Sequence, residues 1–293
     1  MRPLYWVGAV VAVVALIAIG LVLRGNDESS TAKDELKITH AHGLAVHIGD
    51  PEALLIATHH GLLLLNDGTL SEVGESRDDL MGFVVDPKVA GKYYSSGHPV
   101  GGGNLGFQVS EDAGASWQSV SAGAGGPVDF HALAVSTVNP QIVYGYYGAL
   151  QRSEDGGKNW DIVNAQIAPI ALSTDPLKED MVYAATRDGV QVSADRGKSF
   201  APLSQELSGG FVSFYATHPT DPKVAFVFSQ KLGGLGKSTD GGLTWKKISE
   251  TFGNEVVLHI AFAPGKPEVA YALNEKNALY RSSDTGETWQ LLR

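Results

Sequence analysis

Short apolar runs closed by turn residues recur along the chain from residue 42 onward. Six of them read HGLAVHIGDP from His42, MGFVVDP from Met81, HALAVSTVNP from His131, IALSTDP from Ile170, SFYATHPTDP from Ser213 and LHIAFAPGKP from Leu258. A brief apolar run that ends at a proline turn is the pattern of a buried strand. Each is followed by a second β-rich run: LLIATHHG, KYYSSGHP, IVYGYYG, MVYAATRDG, KVAFVFSQ and EVAYALNE. The pattern predicts the first two strands of six repeated units.

Five of the units also carry a polar octet of the form Ser-x-Asp-x-Gly-x-(Ser/Thr/Asn)-(Trp/Phe). The copies are SEDAGASW from Ser110, SEDGGKNW from Ser153, SADRGKSF from Ser193, STDGGLTW from Ser238 and SSDTGETW from Ser282. Their aspartates, Asp112, Asp155, Asp195, Asp240 and Asp284, are spaced by 43, 40, 45 and 44 residues, which suits a four-stranded propeller blade. Within the octet, an Asp carboxylate can accept backbone N–H groups a few residues on, and Gly reaches backbone angles that strain other residues. The terminal aromatic then opens the next strand. A site is built once per chain, so fivefold repetition marks these aspartates as scaffold. The first unit keeps only NDGTLSEVG from Asn66, a decayed copy.

In these octets the chain resembles the Asp-box, or bacterial neuraminidase repeat, propellers: sialidases, sortilin-like receptors and photosystem II assembly factors. The resemblance covers residues 39–293 and implies an all-β, six-bladed β-propeller. It also implies that each box sits on the turn between a blade's third and fourth strands, away from the ligand-binding face. A narrower resemblance, to bacterial membrane-anchored glycosylhydrolase-like Asp-box proteins, rests on HAHGL from His40, ATHHGL from Ala57, MGF from Met81, SGHP from Ser96 and DFH from Asp129.

Composition narrows the setting. From Tyr5 to Leu23 the chain runs nineteen residues without a charge. That is long enough to cross a bilayer core of about 30 Å as a helix, and longer than a usual signal-peptide core. Residues 1–24 are therefore expected to be a single-pass membrane anchor, 25–38 a polar tether, and 39–293 an extracytoplasmic propeller. A net charge of −10, with no basic stripe, excludes nucleic acid as a partner. There is no cysteine, hence no disulfide and no thiolate metal site.

Two phosphate-loop look-alikes fail on context. GGGNLG from Gly101 runs into a strand rather than a helix, and LGGLGKST from Leu232 lacks the first glycine and ends inside an octet. In sialidases three arginines clamp the substrate carboxylate; of the arginines in the propeller, Arg152 and Arg281 precede octet serines, Arg196 lies inside an octet and Arg293 ends the chain, which leaves Arg77 and Arg187. Another glycosidase would need two carboxylates, for which Asp79 and Asp129 are the candidate acid and base.

Function is expected where the repeats differ. His42 and His131 share the register at the start of inner strands, where Met81, Ile170, Ser213 and Leu258 stand in the other units. His60 and His98 share a second register, at the end of second strands. Two residues before the first register stand His40, Asp79 and Asp129, on the same side of an extended segment. His40, His42, His60, His98 and His131 should meet the two aspartates near one rim of the central channel. Imidazole with carboxylate and no thiolate suits a divalent transition metal such as Zn or Cu, or a small polar ligand bound without turnover. A glycosidase using the same face, with a glycan as ligand, is the enzymatic alternative; a docking scaffold for a protein partner is the third.

Overall fold

The computed structural model describes residues 36–293, apart from 249 and 254. The expected anchor, 1–24, and most of the tether lie outside the described residues. Among the described residues no helix is long and apolar enough to cross a membrane.

The described chain forms six four-stranded antiparallel sheets, each built from consecutive strands. Blade 1 comprises β1 (Ala41–Val46), β2 (Leu54–Thr58), β3 (Gly61–Asn66) and β4 (Thr69–Val73), and blade 2 comprises β5 (Asp79–Val85), β6 (Tyr93–His98), β7 (Phe107–Ser110) and β8 (Gln118–Ser121). Blade 3 follows with β9 (Ala132–Val135), β10 (Val143–Tyr147), β11 (Ala149–Ser153) and β12 (Asp161–Asn164). Blade 4 has β13 (Ala171–Thr174), β14 (Val182–Thr186), β15 (Gly189–Ser193) and β16 (Ala201–Pro202). Blade 5 has β17 (Val212–Thr217), β18 (Ala225–Ser229), β19 (Gly234–Ser238) and β20 (Lys246–Lys247), and blade 6 has β21 (Val257–Ala263), β22 (Lys266–Asn274), β23 (Leu279–Ser282) and β24 (Gln290–Leu291). This is a six-bladed β-propeller.

Between blades the core is apolar and rich in aromatics. Phe107 stacks on Tyr94 and meets Trp160 edge-on, and Phe252 packs against Trp289 and Tyr280. The second strands are almost wholly buried, as their unbroken apolar runs require. Among the described residues no strand is exchanged between the first and last blades. The ring closes instead through side chains: Tyr271 donates to the Pro51 carbonyl at 2.8 Å, and Arg281 pairs with Glu52 at 2.7 Å.

All five octets fold alike, on the turn between third and fourth strands. In the Ser153 copy, Ser153 Oγ donates to Asp155 Oδ1 at 2.8 Å and accepts the Gly157 N–H at 2.8 Å. Asp155 Oδ1 accepts the Asn159 N–H at 2.9 Å, and Asp155 Oδ2 accepts the Asn159 side-chain amide at 2.7 Å. The same bonds recur around Asp112, Asp195, Asp240 and Asp284. Blade 1 replaces the octet by a two-residue hairpin, with Asp67 and Gly68 at φ of 48° and 72°.

A second repeated device closes the inner strands. Asp86 accepts the N–H groups of Lys88 and Val89 through Oδ1 and the hydroxyl of Tyr94 through Oδ2, at 2.6 Å. Asp175 does the same with Leu177, Lys178 and Tyr183. In blade 5 the cap is His218, whose Nδ1 accepts the Asp221 N–H at 3.2 Å.

Candidate functional site

Two clusters of histidine and aspartate stand on the channel rim formed by blades 1–3. The first joins His42, His59 and Asp79, and the second joins His98, Asp129 and His131; within each, one ligand atom per residue lies within 4.8 Å of the others. Strand pairing explains how they form. Asp79 opens β5 and pairs across the sheet with His98 at the end of β6, so blade 2 contributes one residue to each cluster. That pairing needs a glycine at position 97. Gly97 has φ of 138°, and a Cβ there would stand 1.9 Å from the Asp79 carbonyl oxygen.

In the first cluster His59 Nδ1 lies 2.5 Å from Asp79 Oδ2, and His42 Nε2 lies 3.6 Å from Asp79 Oδ1. The second separation is too long for a hydrogen bond, and both atoms are buried without a partner. Burial pushes the His42 pKa down to about 4, against the pull of Asp79, and the neighbouring His59 and His131 lower it further. The rings of His40 and His42 both meet His59 edge-on, at centroid distances of 5.1 and 4.3 Å.

The second cluster shares one oxygen between two imidazoles. His131 Nε2 lies 2.6 Å and His98 Nε2 3.0 Å from Asp129 Oδ2. The hydrogen bond to Asp129 raises the His131 pKa despite partial burial, and the charges of Asp129 and Asp79 add to the rise. Asp129 is 4% exposed, and its Oδ1 has no hydrogen-bond partner. On the far side of its ring, His98 Nδ1 lies 2.7 Å from the Gly103 carbonyl oxygen. A carbonyl only accepts, so Nδ1 carries the proton. In the neutral ring the Nε2 lone pair then points at a carboxylate oxygen. A proton or a metal cation on that line would satisfy both atoms.

Sequence register brings together His42, His98, His131, Asp79 and Asp129 as described, with His40 at the edge, exposed and at φ of 45°. His60 is placed elsewhere. Thr58 and Gly61 close a two-residue turn in which the His60 N–H donates to Thr58 Oγ1, and His59, rather than His60, reaches Asp79. The tandem histidines in ATHHGL held this signal, but which of the two faces inward depends on the turn. His259 also lines the channel, in the register given to Leu258, and Phe214 takes the place given to Ser213. Bulges interrupt the pairing at Val257/His259 and Val212/Tyr215, as they also do at Ala41/Gly43 and Leu80/Phe83 in the strands of His42 and Met81. Burial holds the His259 pKa down at about 4, with a smaller push from His42.

The channel cavity below the rim has a volume of about 330 Å³. Beside it, and sharing Ile170, opens a second pocket of about 860 Å³ lined by Arg187, Phe211, Phe228, Gln230 and Val256. Arg77 is taken up by Glu72 and by the carbonyls of Gly74 and Ser76. Of the two arginines free of octets, Arg187 alone faces an open pocket, so a three-arginine clamp has even fewer members than the sequence allowed.

No protein-family model matches the chain, and no curated protein matches it. Among solved structures it is similar to the GH74 xyloglucanase from Xanthomonas campestris, with a TM-score of 0.60 and 19% identity over 87% of this chain and 45% of that one. The GH74 enzyme of Niastella koreensis is similar at a TM-score of 0.60 and 17% identity, over 87% of this chain and 37% of the enzyme. YCF48 bound to D1 peptide is similar at a TM-score of 0.54 and 14% identity, over 88% of this chain and 84% of YCF48. The chain thus spans less than half of either GH74 enzyme and most of YCF48. At these identities the likeness establishes the propeller fold and leaves the chemistry to the site.

Proposed function

We propose that this is a membrane-anchored, extracytoplasmic Asp-box propeller that binds a divalent transition metal at the rim of blades 1–3, without turnover. The observation that carries the reading is His98. A backbone carbonyl engages Nδ1 as the donor, which is how proteins orient metal-binding imidazoles, and turns Nε2 towards Asp129. Asp129 and His131 complete a set of two imidazoles and one carboxylate, suited to Zn or Cu. In the neighbouring cluster, His42 Nε2 and Asp79 Oδ1 are 3.6 Å apart, close enough for both to bind one ion at about 2.1 Å.

A glycosidase reading has less support. Of its candidate acid and base, Asp79 is engaged by His59, and Asp129 by both His98 and His131. A docking function has one specific feature in its favour: the open pocket that sets the cation of Arg187 beside Phe211 and Phe228. A peptide with an acidic group next to an apolar side chain would complement it. Loss of partner binding in Arg187→Glu, with the metal content unchanged, would favour that second reading.

The metal reading is tested by elemental analysis of the full chain purified in detergent, native against a His98→Ala, His131→Ala double variant. Near-stoichiometric zinc or copper in the native protein alone is the expected result. No metal in the native protein, even after incubation with both ions and desalting, would overturn the reading.

A further inference from the structure

The register shared by His42 and His131 holds a third residue between them, Met81. The three come from the inner strands of consecutive blades and line the same cavity. Two glycines bring those strands together. A Cβ on Gly82 would stand 2.2 Å from the Phe130 carbonyl oxygen, so β5 lies directly against the segment that carries His131. On its other side, a Cβ on Gly43 would stand 3.0 Å from Phe83 Cβ, so β1, which carries His42, lies against β5 just as closely. Leu80 is fully buried inside the blade, whereas Met81 is half-buried and faces the channel.

Resting on the metal reading above, we infer that the rim also holds copper in its cuprous state at a second ligand set just inside the divalent one, with the Met81 thioether as a ligand between His42 and His131. A thioether is a soft, uncharged donor that favours Cu(I) and contributes little to Zn(II). The wall beneath the rim is apolar, with Leu44, Phe83, Leu133 and Leu172, and there a monovalent ion costs less to desolvate than a divalent one. Bulk alone does not demand methionine at this register. Ile170 fills the same place in blade 4.

The test is competition for Cu(I) between the full chain in detergent and bathocuproine disulfonate, without oxygen, for native protein, Met81→Leu and His98→Gln. The native protein is expected to withdraw Cu(I) from the chelator. Met81→Leu should lower that affinity by on the order of 100-fold while changing zinc content by less than about threefold. His98→Gln should do the reverse, losing zinc and keeping most of the Cu(I) affinity. An unchanged Cu(I) affinity in Met81→Leu, or a native protein that holds zinc but no Cu(I), would overturn the inference. A native protein that holds neither ion would instead overturn the metal reading on which it rests. X-ray absorption of the copper-loaded native protein gives a check independent of any variant. The chain has no cysteine, so a sulfur neighbour of copper can come only from methionine, and its absence would also overturn the assignment.

Discussion

Replacing Asp129 by asparagine should stabilise the metal-free protein, whereas the same change at Asp86 should destabilise it. Both carboxylates are buried, at 4% and 2% exposure. Asp86 has both oxygens engaged, by two backbone N–H groups and the Tyr94 hydroxyl. Asp129 shares one oxygen between two imidazoles and leaves Oδ1 buried without a partner. An unsatisfied buried polar atom costs about 1–3 kcal/mol, more when charged. Asparagine keeps an acceptor for the His131 N–H and removes the charge, so the expected gain is about 1–2 kcal/mol. In a chain of this length that corresponds to a rise in melting temperature of roughly 2–8 °C. Asp86→Asn replaces a fully used acceptor by a donor and should cost at least about 2 kcal/mol. The assay is thermal unfolding in chelator at pH 8. His131 supplies an internal check, because its pKa is raised in the folded state. Such a group contributes stability that is complete below its unfolded pKa of about 6.5 and is lost as pH climbs through the raised value. The advantage of Asp129→Asn should therefore shrink below pH 6.5, where His131 is protonated and its pairing with the carboxylate counts. Equal destabilisation by the two substitutions would refute the reasoning and return Asp129 to the scaffold.

Other substitutions test the packing and the titration separately. Tyr94→Phe leaves a buried Asp86 oxygen without its donor and should cost about 1.5–3 kcal/mol in denaturant unfolding, while Tyr93→Phe removes a buried hydroxyl that has no partner and should cost less than about 0.5 kcal/mol. Ser238→Ala strips the acceptor from the Gly242 N–H and a donor from Asp240, so a loss of about 1–3 kcal/mol is expected, and equivalent changes at Ser153 or Ser193 should match it. His259 is held neutral, with its pKa near 4 against 6.5 unfolded, so stability should fall as pH drops from 6.5 towards 4, by up to about 3 kcal/mol. A His259→Phe variant with an unaltered acid profile would contradict that assignment.

The fold was legible because it is written several times. Each octet turns by a local code, with Ser, Asp, Gly and the aromatic bonded to one another, and nothing distant is needed to read it. The rim was legible only in part. His42, His131, Asp79 and Asp129 follow from strand phase, which an alignment of runs preserves. His59 and His259 do not. His59 sits in a two-residue turn, where facing is set by the Thr58 and Gly61 backbone, and His259 stands beside a bulge, where simple alternation does not say which neighbour faces the channel. Since the side-chain period of a strand is two, one inserted residue reverses which neighbour faces the channel.

The contrast between scaffold and rim also shows in how polar groups are satisfied. Where the sequence repeats, buried or turn-forming aspartates have their oxygens taken: Asp86, Asp175 and the five octet aspartates all accept from backbone and side-chain donors. Among the described residues, the buried carboxylate oxygens that lack a hydrogen-bond partner are Asp79 Oδ1 and Asp129 Oδ1, both on the rim and both from the non-repeating part of the pattern. A structure stabilised by burial has no use for such atoms, since each opposes folding. Both stand beside His42, His59, His98 and His131, so the proposed metal ion is the partner that would complete them. Because blades 4–6 present Ile170, Phe214 and His259 at the corresponding register, the proposed ion would sit on the side of blades 1–3, apart from the open pocket at Arg187.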